Sequence, residues 1–210
     1  SRSLENSSHP QLKDGDVIYG ELHTEVVEFV EHDVKFSAHV IKGHKTGYFL
    51  DHRANRKQVG EWSKNKTVLD VFSYAGGFSV HALYNGAKEV TSLDISKQAL
   101  EVAVQNGKLN DYIGTHKTIA GDAFEALKQL IKDKKTFDVV VIDPPSFAKQ
   151  ASEIDLAKKK YAQLAQLGEQ LTAKKGLLVL ASCSSRVVPQ AFFDINKQVL
   201  LDSNRSFNLI

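Results

Sequence analysis

From Lys66 onward, short apolar runs alternate with stretches of helical period. The runs "TVLDVF", "EVTSLDI", "KTIAGD", "FDVVVID" and "GLLVLASCS" predict strands, and "GGFSVHALYNG", "SKQALEVAVQNGKLN", "AFEALKQLIKD" and "DLAKKKYAQLAQLGEQLTAKK" predict the helices between them. In the second helix Leu100, Ala103, Val104 and Leu109 recur at helical spacing, and Ser96 stands at the N-cap. Val139 to Ile142 is a continuous β-branched run, as suits a strand covered on both faces of a parallel sheet. This regular alternation predicts a doubly wound α/β sheet. A helix "PQAFFDINKQVLL" and a short "SFNLI" close the chain, and "KKK" at 158–160 reads as a solvated helix face.

Before the sheet the period is two. Val34, Phe36, Ala38 and Val40 share one face of "VKFSAHV", and with "EHD" as the turn, 26–41 predicts an antiparallel hairpin. The polar residues 1–15 read as a flexible lead-in, 16–60 as a small β-hairpin subdomain with the linker "KGHKTGYFLDHRANR", and 61–210 as the α/β domain.

Composition narrows the class. The 210 residues are 42% hydrophobic, enough for one sizeable core, and 27 basic against 25 acidic residues leave a net charge of +2, too weak for strong overall attraction to nucleic acid. A single cysteine excludes a disulfide framework and a multi-cysteine zinc site; no metal is expected. Without a signal-peptide pattern or long apolar span, the expected compartment is cytoplasmic and no membrane is involved. Methionine is absent even at position 1, and the chain reads as part of a longer protein.

Candidate chemistry gathers at the strand ends. "DVFSYAGGFS" is a strand, a glycine turn and a helix start, in which Gly76 and Gly77 would let backbone approach a ligand. The spacing is not GxGxxG, so a nicotinamide oxidoreductase is disfavoured. Asp70, Asp94, Asp122 and Asp143 stand at the ends of four strands, with Asp94 about 20 residues after the glycine turn, where an acid can bind ribose hydroxyls. One strand-end aspartate is most often a helix cap. Four on one rim, with the glycine turn, suit a ligand carrying a ribose, an adenine amino group and a cationic centre, which describes S-adenosylmethionine. Pro144 and Pro145 end the fourth strand and stiffen its edge.

Five ordered segments, "KTGYFLDHRANR", "VLDVFSYAGGFSVHAL", "SLDISKQALEVAVQN", "FDVVVIDPPSFAK" and "LLVLASCSS", resemble the motifs of the ribosomal large-subunit RNA cytosine-5 methyltransferases of bacteria and archaea, over roughly 26–193. The resemblance implies a Rossmann-like class I methyltransferase fold using S-adenosylmethionine, with large-subunit rRNA as partner. It implies that Phe72, Ser73, Tyr74, Gly76 and Gly77 cradle the methionine part, above Asp70. Asp94 and Ile95 would hold the ribose, Asp122 and Ala123 the adenine edge, and Asp143 and Pro144 the methyl end. Arg53 and Arg56 would cover the site, while Pro145, Phe147 and Lys149 would meet a flipped base.

Cytosine C5 is a poor nucleophile, and its methylation generally needs a thiolate added at C6. Cys183 in "LASCSS" is the candidate, with Asp143 hydrogen-bonding the polarised base at N3 or the amino group. A lone cysteine on an apolar strand is more often a small buried residue; the resemblance reverses those odds, because the family carries its nucleophile in this segment. A related branch that methylates guanine N7 shares the DPP and LDHR features, and His52 in "LDHR" leans toward it. The competing functions are therefore a base-nitrogen rRNA methyltransferase and a noncatalytic RNA-binding module. The family's PUA domain and its final strand are not seen in this sequence. Lys42, Lys45, Arg53, Arg56, Lys149 and Arg186 are candidate phosphate contacts. The oligomeric state is left open, a homodimer among the options.

Overall fold

In the computed structural model, which describes residues 11–13, 15–41 and 47–210, the chain divides into two compact units, Ser1–Arg53 and Ala54–Ile210. Lys42, Lys45 and most of the lead-in lie outside the described residues.

The first unit contains the expected hairpin, β1 (Val26–Glu31) against β2 (Val34–His39). Glu31 pairs with Val34, so the turn is His32–Asp33 rather than three residues. Both turn residues have positive φ, 49° and 68°, which matches the right-handed twist of the two strands. Val34, Phe36 and Ala38 are buried on one face, whereas Val40 lies past the strand and is exposed. The Phe36 ring meets Tyr48 at 4.9 Å and Phe29 at 5.8 Å, an aromatic cluster sized for a two-stranded element that has little else to bury.

Helix α1 (Arg53–Trp62) occupies the end of the segment expected to be a linker. It lacks a sequence start signal and buries little beyond Arg56, Val59 and Gly60. The expected boundary at 60 falls inside it.

Strands β3 (Thr67–Val71), β4 (Glu89–Asp94), β5 (Thr115–Ala120), β6 (Phe137–Ile142) and β7 (Thr172–Leu180) form a parallel sheet in the order β5-β4-β3-β6-β7. Helices α2 (Gly77–Tyr84), α3 (Lys97–Lys108), α4 (Ala123–Lys132), α5 (Ile154–Leu171) and α6 (Pro189–Asp202) complete the α/β unit. Alternate residues of the central strands feed two cores. Leu69, Val71, Val140 and Ile142 pack with Leu127, Leu164 and Leu171 of α4 and α5. Val68, Val139 and Val141 pack with Val59, Phe78 and Leu83 of α1 and α2. Burial on both faces is why β6 needs an unbroken apolar run. Ser96 caps α3 as expected, accepting from Ala99 N at 3.2 Å.

One helix boundary departs from its periodicity. "TAKK" continues the helical pattern of α5, yet the helix stops at Leu171 and Thr172 pairs with Phe137. The Thr172 hydroxyl donates to Gly168 O at 2.7 Å, and β7 bulges through Lys175 (φ 64°) before Leu177 pairs with Val139. Strand pairing outweighs the helix propensity of Ala and Lys. The strand therefore ends at Leu180, and "ASCS" is a loop beyond it. Among the described residues no helix is long and apolar enough to cross a membrane.

Candidate functional site

The strand order reverses between β3 and β6, and ligands of open α/β sheets bind at the carboxyl ends of strands at such a switch point. Asp122, Asp94, Asp70 and Asp143 stand at or near the ends of β5, β4, β3 and β6, four neighbouring strands of the sheet. They are not equivalent. Asp122 caps α4 by accepting from Glu125 N at 3.1 Å. Asp94 is half-buried and accepts from Tyr74 N and Ser96 N, both at 2.9 Å, with Ile95 beside it 75% exposed. Asp143 is half-buried, and its N–H donates to Val71 O at 3.3 Å. Asp70 is 1% exposed; its Oδ2 accepts from Ser79 N at 3.0 Å and Ser79 Oγ at 2.6 Å. Burial pushes the Asp70 carboxyl up to about 7, the two Ser79 hydrogen bonds oppose the shift, and the neighbouring charges of Asp143 and Asp94 add to it.

The loop from β3 to α2 is strained. Phe72 and Tyr74 have φ of 64° and 47°, a conformation that L residues keep only where surrounding structure compels it, at about 1–3 kcal/mol each. The compulsion is visible in the hydrogen bonds: Ser73 N donates to Leu93 O at 3.1 Å, Tyr74 N to Asp94, and Asn106 Nδ2 to Ala75 O at 3.0 Å. Burial, and then the Asp94 charge, raise the Tyr74 phenol above its ordinary value. Gly76 has φ 82°, and a Cβ there would lie 2.8 Å from Ala103 Cβ, so this glycine lets α2 start against α3. Ser73 Oγ is buried and has no partner among the described residues.

The prolines bring the second half of the site to this rim. Pro144 is buried and Pro145 exposed. Cys183 lies in the loop beyond β7, exposed, with its thiol donating toward Pro144 O at 3.7 Å. The two flanking serines shape that loop. Ser182 Oγ donates to Tyr161 Oη at 3.0 Å, and Ser184 Oγ accepts from the N–H groups of Arg186 and Val187, both at 3.2 Å. Phe147 is half-buried beside Tyr161 (5.2 Å) and Phe124 (6.4 Å), with Lys160 Nζ 5.1 Å from its ring. Lys149 and Arg186 are exposed, as is Arg53 at the start of α1, whereas Arg56 is buried at 4% exposure. Ala123 is buried in the first turn of α4.

Sequence reading missed several supports: Asn106 under the glycine loop, Ser79 capping toward Asp70, Ser92 and His116 behind it, and Tyr161 under the cysteine loop. Ser79 in "GGFSVHAL" and Ser92 in "EVTSLDI" signal themselves as hydroxyls within largely apolar runs, whereas Asn106 in "VQNGK" and His116 in "GTHKT" stand among polar neighbours and carry no such signal.

Comparison with known proteins gives the family. Residues 13–196 match the S-adenosylmethionine-dependent methyltransferase family. A ribosomal RNA large subunit methyltransferase from Deinococcus radiodurans is 44% identical over 194 residues, 91% of this chain and 48% of the relative. Ribosomal RNA large subunit methyltransferase I from Aeromonas salmonicida is 39% identical over 195 residues, 92% of this chain and 49% of the relative. The chain thus spans about half the length of these curated relatives. A methyltransferase crystal structure in complex with SAH superposes with a TM-score of 0.74 at 27% identity, over 85% of this chain and 47% of that one. With the sheet order, the glycine loop and the acidic rim in agreement, the chain belongs to the S-adenosylmethionine-dependent methyltransferases.

Proposed function

We propose that the chain methylates cytosine C5 in large-subunit ribosomal RNA, with Cys183 as the transient nucleophile. The observation that carries this reading is the thiol itself: exposed, off the strand, and 3.7 Å from the carbonyl of Pro144 at the switch-point rim. A purely structural cysteine is most often buried, whereas this one is exposed. The relatives named as ribosomal RNA large subunit methyltransferases support an rRNA substrate for this chain too.

The residues present fit S-adenosylmethionine. Ser73 Oγ is a buried hydroxyl without a partner among the described residues, a group whose desolvation a ligand would offset, and it lies in the loop that the rim carboxylates surround. When bound, S-adenosylmethionine supplies an electrophilic methyl on a positively charged sulfur. Asp94 would hold the ribose hydroxyls through its remaining lone pairs, Ile95 would face the adenine with its exposed side chain, and Asp122 and Ala123 would line the far edge. Phe72, Ser73, Tyr74, Gly76 and Gly77 would hold the amino-acid end.

Cys183, its proton given up to solvent, adds as the thiolate to cytosine C6, pushing electron density onto C5. Asp143 in its protonated form donates to N3 and stabilises the negative charge that the addition places there. After methyl transfer the C5 proton passes to solvent water, its bonding pair re-forms the C5–C6 double bond, and the Cys183–C6 bond breaks with its electrons returning to sulfur as thiolate. Pro144 and Pro145 hold the base edge, Phe147 walls it, and Lys149 and Arg186 meet backbone phosphates.

Base-resolved methylation of rRNA by wild type and Cys183→Ala tests this. The reading requires 5-methylcytosine with wild type and none with the variant, while S-adenosylhomocysteine still raises the variant's Tm. A methylated guanine, or an active Cys183→Ala, overturns it.

A further inference from the structure

Behind Asp70 runs a chain of hydrogen bonds that the proposed reaction does not use. Asp70 Oδ2 and Ser79 Oγ are 2.6 Å apart, Ser79 Oγ and Ser92 Oγ 2.6 Å, and Ser92 Oγ and His116 Nε2 2.8 Å. It crosses β3, α2, β4 and β5. Ser79 and Ser92 are 0% exposed, so water cannot substitute for any link between them. At the far end His116 Nδ1 is buried without a partner among the described residues.

Each hydroxyl carries one proton, so the chain has two directions. In one, every donor points toward Asp70 Oδ2, which accepts most strongly when the carboxyl is ionised: Ser79 donates to Oδ2, Ser92 to Ser79, and His116 Nε2–H to Ser92. Nδ1 then carries only an unused lone pair. In the other, a protonated Oδ2 donates to Ser79, Ser79 to Ser92, and Ser92 to Nε2, which leaves Nδ1–H as a buried donor with no acceptor. Two features favour the first direction. Oδ2 already accepts the Ser79 N–H, which suits a carboxylate oxygen and not a hydroxyl. A buried donor without an acceptor is also the rarer and costlier defect.

We propose that Asp70, Ser79, Ser92 and His116 form a one-way relay that favours the ionised form of Asp70 beneath the rim, as the counter-charge by which the site prefers a cationic cofactor over its neutral product. This rests on the methyltransferase reading. Hydrogen bonds in series polarise one another, so the two outer members strengthen the donor that Ser79 presents to Asp70. They act against burial and against the like charges of Asp94 and Asp143, the titratable groups that act on Asp70. At the other end burial lowers the imidazole pKa, keeping His116 neutral, and the neighbouring titratable group is Tyr112, whose hydroxyl borders the same space beside Gly107 as Nδ1 does. Ser79, Ser92 and His116 are positioning residues; none is asked to touch the ligand.

The test has two arms on the 210-residue chain. Nitrogen NMR of wild type should show His116 as the neutral Nε2–H tautomer. Calorimetric titration between pH 6 and 8 should show S-adenosylmethionine favoured over S-adenosylhomocysteine, with the preference lost as Asp70 protonates at falling pH. In Ser92→Ala and His116→Phe the pH of half-loss should rise by about half to one unit. An Nδ1–H tautomer, or an unmoved half-loss pH in both variants, overturns the relay alone. Binding of neither ligand at any pH overturns the cofactor reading as well.

Discussion

Gly76→Ala separates two reasons for a glycine in the β3–α2 loop, since it could serve the approach of a ligand or the packing of helices. At φ 82° and ψ 30° an alanine would sit in the left-handed region, at a cost of about 1–2 kcal/mol. Its Cβ would stand 2.8 Å from Ala103 Cβ and 3.1 Å from Ala103 Cα, against the roughly 3.5–4.0 Å that carbon atoms prefer. Ala103 is 0% exposed on α3 and cannot swing aside, so overpacking adds about 1–3 kcal/mol. The sum is about 2–5 kcal/mol, a fall in Tm of roughly 5–15 °C for a chain of this size. Urea unfolding at constant m-value measures it. The double variant with Ala103→Gly should recover the part of the steric cost due to the Ala103 Cβ, keep the left-handed cost, and add about 0.5–1 kcal/mol for a glycine inside a helix. A single variant losing less than about 1 kcal/mol, or a double variant no more stable than the single effects sum to, refutes the packing argument. A stable Gly76→Ala that no longer binds S-adenosylhomocysteine would return the glycine to the ligand.

Two further outcomes follow from the same structure. Arg205 donates to the carbonyls of Glu169, Thr172 and Ala173 at 2.8, 2.9 and 3.1 Å and pairs with the Glu169 carboxylate at 3.0 Å, closing the end of α5. Arg205→Ala should lower stability by about 1–2 kcal/mol, reduced by its partial exposure, and Arg205→Lys should recover less than half, because a lysine has no planar fork to span three carbonyls; equal stability of Lys and Arg variants would contradict this. Asp70 has its carboxyl raised from 3.8 to about 7, so the folded chain holds a proton that the unfolded chain releases across that range. Stability should be fully present below about pH 4 as far as this group is concerned, and fall by an amount on the order of 4 kcal/mol as pH rises to about 7. Asp70→Asn should flatten that slope in denaturation curves taken at several pH values, and an unchanged slope would refute the assignment.

Sequence reading reached the elements whose evidence is local. The β6 run announces burial on both faces, Ser96 announces its helix, and Asp94 and Asp122 announce strand ends because the chain turns there into a helix. It misread elements decided by partners. "TAKK" has the composition of a helix and became strand and bulge because Thr172 found Phe137 across the sheet. "RANRKQVGEW" carries no cap and became helix α1, packed so closely on α2 that a Cβ at Gly60 would lie 2.8 Å from Asn85 Nδ2.

The sequence by itself determined the alternation of strand and helix, the acids at the strand ends and the presence of one thiol, since periodicity and residue type act within a few residues. Only the tertiary structure decided the order β5-β4-β3-β6-β7, the 39-residue approach of Cys183 to Pro144, and the line of side chains from Asp70 to His116. Those depend on which strands become neighbours, which packing of both faces selects and no spacing along the chain encodes.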